Sequence, residues 1–286
     1  MNNIFYNTIF KTKIQGNINK ESIIKKSYDI LEKKMLQKTY TYNDNDQIPK
    51  IIYQTWQTHD LPYNMRSSSE QIKNLHPDFE YKLFDDIDCR NFIKEHFDYT
   101  VLHAYDRLIP GAYKADLWRY CILYITGGIY LDIKYICSPG FNFNSIINKP
   151  HWVLDNNDID IYNALMICQK QSPILRYCIR QIVINVNINY YGKNALYPTG
   201  PGLLKNAIDM FYNNTKDVYL KHKIKNNIDM KHHAIGHNKF IYYNKKRILQ
   251  MYENYYNDLN KYSKIPSYGY FWNKRQIYHP PTIQKK

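Results

Sequence analysis

The chain has 286 residues and a formal net charge of +14. Hydrophobic residues make up 44% of it and aromatic residues 16%, which excludes a disordered chain, while 10 glycines and 12 prolines exclude collagen-like and low-complexity proteins. The basic residues are dispersed and form no DNA- or RNA-binding motif, so we expect no nucleic-acid partner. A chain of this length can bury a core without disulfides or metals.

The first 47 residues are predicted to lie outside the main domain. Glu21–Lys38 alternates charged residues with apolar residues at helical spacing, which indicates one amphipathic helix. Thr39–Gln47 is a polar linker. We therefore predict an N-terminal helical extension over residues 1–47 and one compact domain over residues 48–286.

Strands and helices alternate along the rest of the chain. The predicted strands are Lys50–Tyr53, Tyr81–Phe84, Ile129–Tyr135, His151–Asp155 and Ile161–Cys168. The predicted helices are Ile87–Phe97, Tyr113–Thr126, Pro173–Asn189, a helix from the turn Pro198–Gly202 to Tyr212, and Lys245–Lys261. This alternation favours an α/β fold with a mostly parallel central sheet.

Cysteine usage and apolar runs indicate the compartment. The five cysteines are odd in number and form no CxxC pair, so we expect buried small side chains in a reducing compartment rather than metal ligands or disulfides. The first residues have no apolar core, and the longest apolar run, Tyr120–Leu131, is too short to span a bilayer. We predict a soluble, cytoplasmic protein whose N-terminal lysines make at most a peripheral contact with anionic lipids.

Two charged residues share one face of the helix Tyr113–Thr126. Asp116 and Arg119 are three residues apart, which places them on the same side. A buried acid and a buried guanidinium need partners, because an unpaired buried charge is costly. They either pair with each other or hold sugar hydroxyls and phosphate, for which the planar donors of arginine are suited.

A second pair of charged residues lies in the predicted strand Ile129–Tyr135. Asp132 lies near the carboxyl end of this strand, where ligands bind in open α/β sheets. An acid at that position can hold a divalent ion or a ribose hydroxyl. Lys134 is two residues further and leaves the same face. The alternative is an Asp–Lys contact along the strand edge.

Three segments in order carry a family resemblance. They are IPKIIYQTW at residues 48–56, HPDFEYKLFDD at 76–86, and KADLWRY with GGIYLDIK between 114 and 134. Together they resemble the glycosyltransferases with a DXD sugar-binding region (family 32), which include fungal mannosyltransferases, bacterial capsule enzymes and proteins of giant DNA viruses. A weaker resemblance continues through Pro198–Gly202 and the aromatic tail Tyr268–Tyr278.

The resemblance implies a GT-A-like fold. It also implies an enzyme that moves a hexose from a UDP- or GDP-sugar to a glycan or protein acceptor with retention of configuration, in the host cytoplasm or the virion if the protein is viral. On this basis Asp116 and Arg119 hold the donor sugar, and Asp132 is the first acid of the DXD motif. Tyr53 stacks on the nucleobase and Trp272 closes over the donor; the alternatives are a core aromatic and a packing residue.

The DXD motif departs from the family at its second acid. Lys134 occupies that position, which in the family usually supplies a ligand to the Mn²⁺ or Mg²⁺ that neutralises the diphosphate. Three interpretations stay open. Lys134 neutralises the diphosphate itself, or Asp132 and other groups hold the metal, or the protein is a catalytically degenerate nucleotide-sugar-binding protein.

Two other sets of residues are weaker candidates. Asp155 ends a predicted strand and is expected to face the acceptor. His232, His233 and His237 have spacing close to that of metal ligands, but we expect them to be surface histidines because lysine, asparagine and histidine mix freely in this region.

Overall fold

The computed structural model describes residues 47–263 and 265–280. The predicted helix Glu21–Lys38 and nearly all of the linker lie outside the described residues, so the extension over residues 1–47 stays a prediction. The helices are α1 (Tyr63–Leu75), α2 (Asp86–His96), α3 (Tyr99–Arg107), α4 (Gly111–Thr126), α5 (Pro173–Asn187), α6 (Pro201–Asn214), α7 (Val218–Asn226), α8 (Tyr255–Tyr262) and α9 (Tyr268–Asn273).

The strands form a single nine-stranded sheet within the described ranges. They are β1 (Ile51–Thr55), β2 (Glu80–Phe84), β3 (Gly128–Leu131), β4 (Tyr135–Cys137), β5 (His151–Leu154), β6 (Ile161–Cys168), β7 (Ile228–Ile235), β8 (Asn238–Tyr243) and β9 (Lys246–Met251). Their order is β2-β1-β3-β6-β5-β7-β8-β9-β4. The predicted α/β class is confirmed, and the arrangement is consistent with the GT-A-like fold that the resemblance implies.

The sheet is mixed rather than mostly parallel, so that part of the prediction is wrong. Strand β1 is parallel to β2 and β3, and β5 is parallel to β7. Strand β6 is antiparallel to both of its neighbours, and β7, β8, β9 and β4 pair antiparallel in turn. The reason is that β7, β8 and β9 are joined by short hairpins, whereas a parallel pair needs a long crossover connection.

The predicted helix Lys245–Lys261 is also wrong. Its first part is strand β9, which follows a two-residue hairpin turn, and only the last part is helix α8. Asn244 and Lys245 form the turn with φ angles of 47° and 62°, a conformation that suits tight hairpins. Exposed polar residues on β7, β8 and β9 conceal the alternation that would have indicated strands.

The apolar core lies on both sides of the sheet. Helix α4 is buried along most of its length, in agreement with its apolar sequence. All five cysteines are buried and free, which confirms their predicted role as small buried side chains. None of the helices within the described ranges combines the length and apolar character needed to cross a bilayer.

A glycine turn sets the direction in which the chain enters the site. Gly127 ends α4 with a φ angle of 70°. A β-carbon at this position would lie 2.6 Å from the backbone nitrogen of Lys170, so no side chain fits. The turn sends the chain directly into β3 and places the residues after β3 close to α4.

Substituting Gly127 with alanine is expected to destabilise the protein strongly. The strain of a positive φ angle and the backbone clash together should lower the free energy of unfolding by about 2 kcal/mol or more. Urea unfolding measures this loss. Gly140→Ala is a matched control, because Gly140 has a φ angle of 76° but no neighbouring atom within 4 Å of an added β-carbon. Equal losses in the two variants would contradict the role of the clash.

Candidate active site

The candidate site lies where β3 ends beside the buried face of α4. Helix α4 supplies Asp116 and Arg119, and the turn after β3 supplies Asp132. The backbone nitrogen of Asp132 donates to the oxygen of Ala164 on the neighbouring strand β6 at 2.7 Å. The two predicted pairs, Asp116 with Arg119 and Asp132 with Lys134, therefore come together in one place.

The guanidinium of Arg119 connects three elements. Its Nη1 donates to the backbone oxygen of Asn163 at 2.7 Å and to Oδ1 of Asp132 at 3.2 Å. Its Nη2 lies 3.2 Å from Oδ1 of Asp116. The guanidinium carbon lies 4.2 Å from the centroid of the Tyr130 ring, a cation–π distance. The Asp116–Arg119 ion pair considered from the sequence is present, but it is part of a larger network.

The carboxylate of Asp116 is held from two distant parts of the chain. Its Oδ1 accepts from Nδ2 of Asn163 at 2.9 Å, and its Oδ2 accepts from Oγ1 of Thr199 at 2.7 Å. Thr199 lies in the turn before α6, and a β-carbon on the adjacent Gly200 would be only 3.2 Å from Oδ2. The turn Pro198–Gly202 therefore packs directly on the site, which explains why it belongs to the same resemblance.

The two aspartates differ in their electrostatic environment. Burial raises the pKa of Asp116 above its usual value, although Arg119 acts in the opposite direction. Burial also acts to raise the pKa of Asp132, but Lys134 and Arg119 hold it below its usual value. Asp132 is therefore the firmly ionised carboxylate of the pair. Its side chain is 21% exposed, so the network meets the surface at this residue.

Lys134 is buried with its ammonium group against Oδ2 of Asp132. Residues 132–134 form a turn rather than the predicted continuation of the strand, yet the two side chains meet. Burial acts to lower the pKa of Lys134, but Asp132 and the neighbouring tyrosines raise it above its usual value. The group therefore carries a permanent positive charge. This contact corresponds to the Asp–Lys pair that we considered as an alternative.

The groups around Asp132 do not fit a divalent metal ion. Its Oδ2 contacts the ammonium of Lys134, and its Oδ1 accepts from Arg119 and from the hydroxyl of Tyr130 at 2.8 Å. Mn²⁺ and Mg²⁺ require oxygen ligands and would face two fixed positive charges here. The interpretation in which Asp132 ligates the metal therefore lacks a suitable donor set.

One other group of side chains has ligand-like spacing in the described part of the chain. It consists of His59, Asp85 and Asp88 at the protein surface. Asp85 caps the first turn of α2, and Asp88 lies 2.6 Å from Nε2 of His59. These groups already satisfy one another and lie apart from Asp132.

Asp155 is connected to the Asp132 region through a stack of side chains. Its Oδ1 lies 2.7 Å from Nδ1 of His232, and the His232 ring stacks on Tyr162 with centroids 3.9 Å apart. On the other side, the ammonium of Lys134 lies 5.4 Å from the Tyr162 centroid. His232 is only 4% exposed, so the prediction that it is a surface histidine is wrong. His233 and His237 are exposed, as expected.

Tyr53 lies in the core rather than on the surface of the site. It is 1% exposed, at the centre of β1, and its ring meets the edge of Phe84 at 6.2 Å. Because the side chain is buried, no face of the ring is open for a nucleobase. The predicted stacking role is therefore corrected to the alternative, a core aromatic.

Trp272 is half-buried and its indole nitrogen donates to the backbone oxygen of Tyr191 at 2.6 Å. This bond directs the indole edge toward a loop before α6, in agreement with the alternative of a packing residue. Tyr268 of the same tail packs against Tyr113 of α4, with ring centroids 5.9 Å apart. Burial raises the pKa of Tyr268, and the charge of Lys134 acts in the opposite direction.

Sequence reasoning missed four residues that complete the network. They are Asn163, Thr199, Tyr130 and Tyr162. Thr199 carried a signal, because it lies in the turn that resembles the family. Asn163 is the one polar residue within the buried strand β6, and a polar residue in a buried strand needs a hydrogen-bonding partner.

Residues 62–152 match the family described as "Glycosyltransferase sugar-binding region containing DXD motif". This segment contains Asp116, Arg119 and Asp132. The match covers residues 62–152 and not the rest of the chain. The resemblance seen in the sequence is thus confirmed, and the buried Asp–Arg–Asp network lies inside the matched segment.

Individual proteins are also similar to this chain. The chain is 34% identical over 160 residues to inositol phosphoceramide mannosyltransferase 3 of Schizosaccharomyces pombe, covering 56% of this chain and 44% of that protein. It is 29% identical over 185 residues to an uncharacterized glycosyltransferase of Acanthamoeba polyphaga mimivirus, and this match covers 60% of this chain and 70% of the viral protein. The solved structure of the PaToxG glycosyltransferase is 17% identical, with a TM-score of 0.46. The alignment covers 71% of this chain and 80% of that one. The chain thus spans less than half the length of the fungal relative.

Proposed function

We propose that this protein is a glycosyltransferase that moves a hexose from a UDP- or GDP-sugar to a glycan or protein acceptor with retention of configuration. The observation that carries the proposal is the buried network of Asp116, Arg119 and Asp132, which reaches the surface at Asp132. Planar donors and carboxylates in a buried setting suit sugar hydroxyls and phosphate. The location of this network inside the matched family segment supports the same activity.

In the proposed reaction the donor sugar lies against Asp116 and Arg119. The bond between the anomeric carbon and the diphosphate oxygen breaks, and its electron pair goes to the diphosphate. The acceptor oxygen bonds to the anomeric carbon, and its proton passes to the departing diphosphate. Lys134 neutralises the negative charge that develops there, as a fixed positive group can in a buried site. Asp155 is proposed to face the acceptor.

The donor assay tests this function directly. We expect the purified protein to release free nucleoside diphosphate from one member of a panel of UDP- and GDP-sugars, with and without Mn²⁺. GDP-mannose is the first donor to test, because the fungal relative is named a mannosyltransferase. Binding without release in the presence of candidate acceptors would instead support a degenerate nucleotide-sugar-binding protein. Absence of both binding and release would overturn the proposal.

A further inference from the structure

Lys239 has a position in the fold that the proposed reaction does not yet use. It is the second residue of strand β8 and pairs with Ala234 of β7, two residues beyond the pair His232–Ile241. Directly opposite residues share a face of a sheet, and so do alternate residues of one strand. Lys239 therefore lies on the same face as His232, whose ring stacks on Tyr162. This places it on the side of the sheet that carries the charged cluster.

The ammonium group of Lys239 has no counter-ion of its own. The side chain is half-buried and makes no hydrogen bond or ion pair with any residue that the structure describes. Neither of the two nearby carboxylates contacts its ammonium directly, since Asp132 contacts Lys134 and Asp155 contacts His232. Their charges act on Lys239 only from a distance and do not offset the effect of burial. Burial lowers the pKa of Lys239 to about 8, and the charge of Lys134 contributes to this effect.

Other groups near Lys239 do not supply the missing negative charge. Burial lowers the pKa of His232, so its ring is neutral and cannot act as an anion. Tyr255 and Tyr268 face the same cluster, but burial raises the pKa of each phenol. Two ammonium groups thus lie in one partly buried region, and only that of Lys134 is paired.

We propose that Lys239 and Lys134 together bind the diphosphate of the nucleotide-sugar, with Lys239 supplying the free ammonium. This inference rests on the proposed function. An unpaired, partly buried ammonium is costly, and a ligand with two phosphate groups removes that cost by contacting both lysines. Lysine suits the role because it binds phosphate as a point charge. The pair supplies the positive charge that a divalent ion supplies elsewhere in the family.

The test measures binding by calorimetry in the presence of EDTA. The probes are UDP and GDP, with uridine and guanosine as phosphate-free controls. We expect Lys239→Met to weaken the affinity for the preferred nucleoside diphosphate by about tenfold or more and to leave nucleoside affinity unchanged. Lys239→Arg should keep most of the affinity. Lys246→Met is the matched control, since Lys246 is an exposed lysine on the neighbouring strand β9 and should bind like the parent.

Thermal unfolding separates this role from a structural one. Removing the ammonium of Lys239 relieves its repulsion with Lys134, so Lys239→Met should unfold at the parental temperature or above it. A lower unfolding temperature together with parental diphosphate affinity would overturn the inference in favour of a packing role.

The outcomes also distinguish this inference from the proposed function. If the parent binds and transfers but Lys239→Met has the parental diphosphate affinity, only the role of Lys239 fails. If the parent binds neither UDP nor GDP nor any of their sugars, the proposed function and this inference fail together.

Discussion

Arg119→Lys is expected to lower the rate of sugar transfer by about 10²–10³-fold while the protein stays folded. A lysine keeps the charge but cannot reach Asp116, Asp132 and the Asn163 backbone at once, because it lacks the planar fork of donors. Asp116→Asn should cause a similar loss, since it removes the charge and keeps the shape. Rates from the donor assay and circular dichroism spectra together check the result.

We use conservative variants because truncating a buried side chain to alanine would lower stability as well as activity. Arg119→Ala would remove the positive charge between two buried carboxylates and cost about 3–5 kcal/mol of stability. Arg90→Lys serves as the control, because Arg90 forms a similar two-bond contact with Asp106 at the surface, at 2.7 and 2.8 Å. A folded Arg119→Lys variant with the parental transfer rate would show that the donor does not use this network.

Transfer by the parental enzyme is expected to survive EDTA, and Lys134→Ala is expected to lose about 10²–10³-fold in rate. The reason is that the Lys134 ammonium stands where a metal would neutralise the diphosphate, and Asp132 has no free oxygen for a metal. Arg119 still neutralises Asp132 in the variant, so we expect the fold to persist. The measurement is the initial rate with EDTA and with added Mn²⁺.

Lys134→Asp is a second test of whether Lys134 takes the place of a metal ion, because it restores the DXD motif of the family. We expect it to recover activity only when Mn²⁺ is supplied. Lys205→Ala is the control, since it removes a surface lysine paired with Asp209 on α6. A parental enzyme that EDTA silences and Mn²⁺ restores would refute the substitution of the metal by Lys134.

Local features of the chain were readable from the sequence. The GG stop after Thr126, the strand that follows it and the helix that carries Asp116 and Arg119 depend on interactions between residues a few positions apart. The secondary-structure predictions failed in the segments that are rich in polar residues. The strands β7 and β8 and the turn at Asn244 carry lysine, asparagine and histidine on exposed positions, so their periodicity was hidden and a helix was predicted in place of β9.

By itself the sequence determined the α/β class, the family resemblance of three segments between residues 48 and 134, and the presence of an acid and an arginine on one helix face. Only the tertiary structure decided what those charges contact. Arg119 meets Asn163 across 44 residues, and Asp116 meets Thr199 across 83. It also showed that Tyr53 belongs to the core and that Lys239 forms no ion pair with the described part of the chain. Such contacts depend on the pairing order of a mixed sheet, which brings distant residues together and leaves no periodic pattern along the chain.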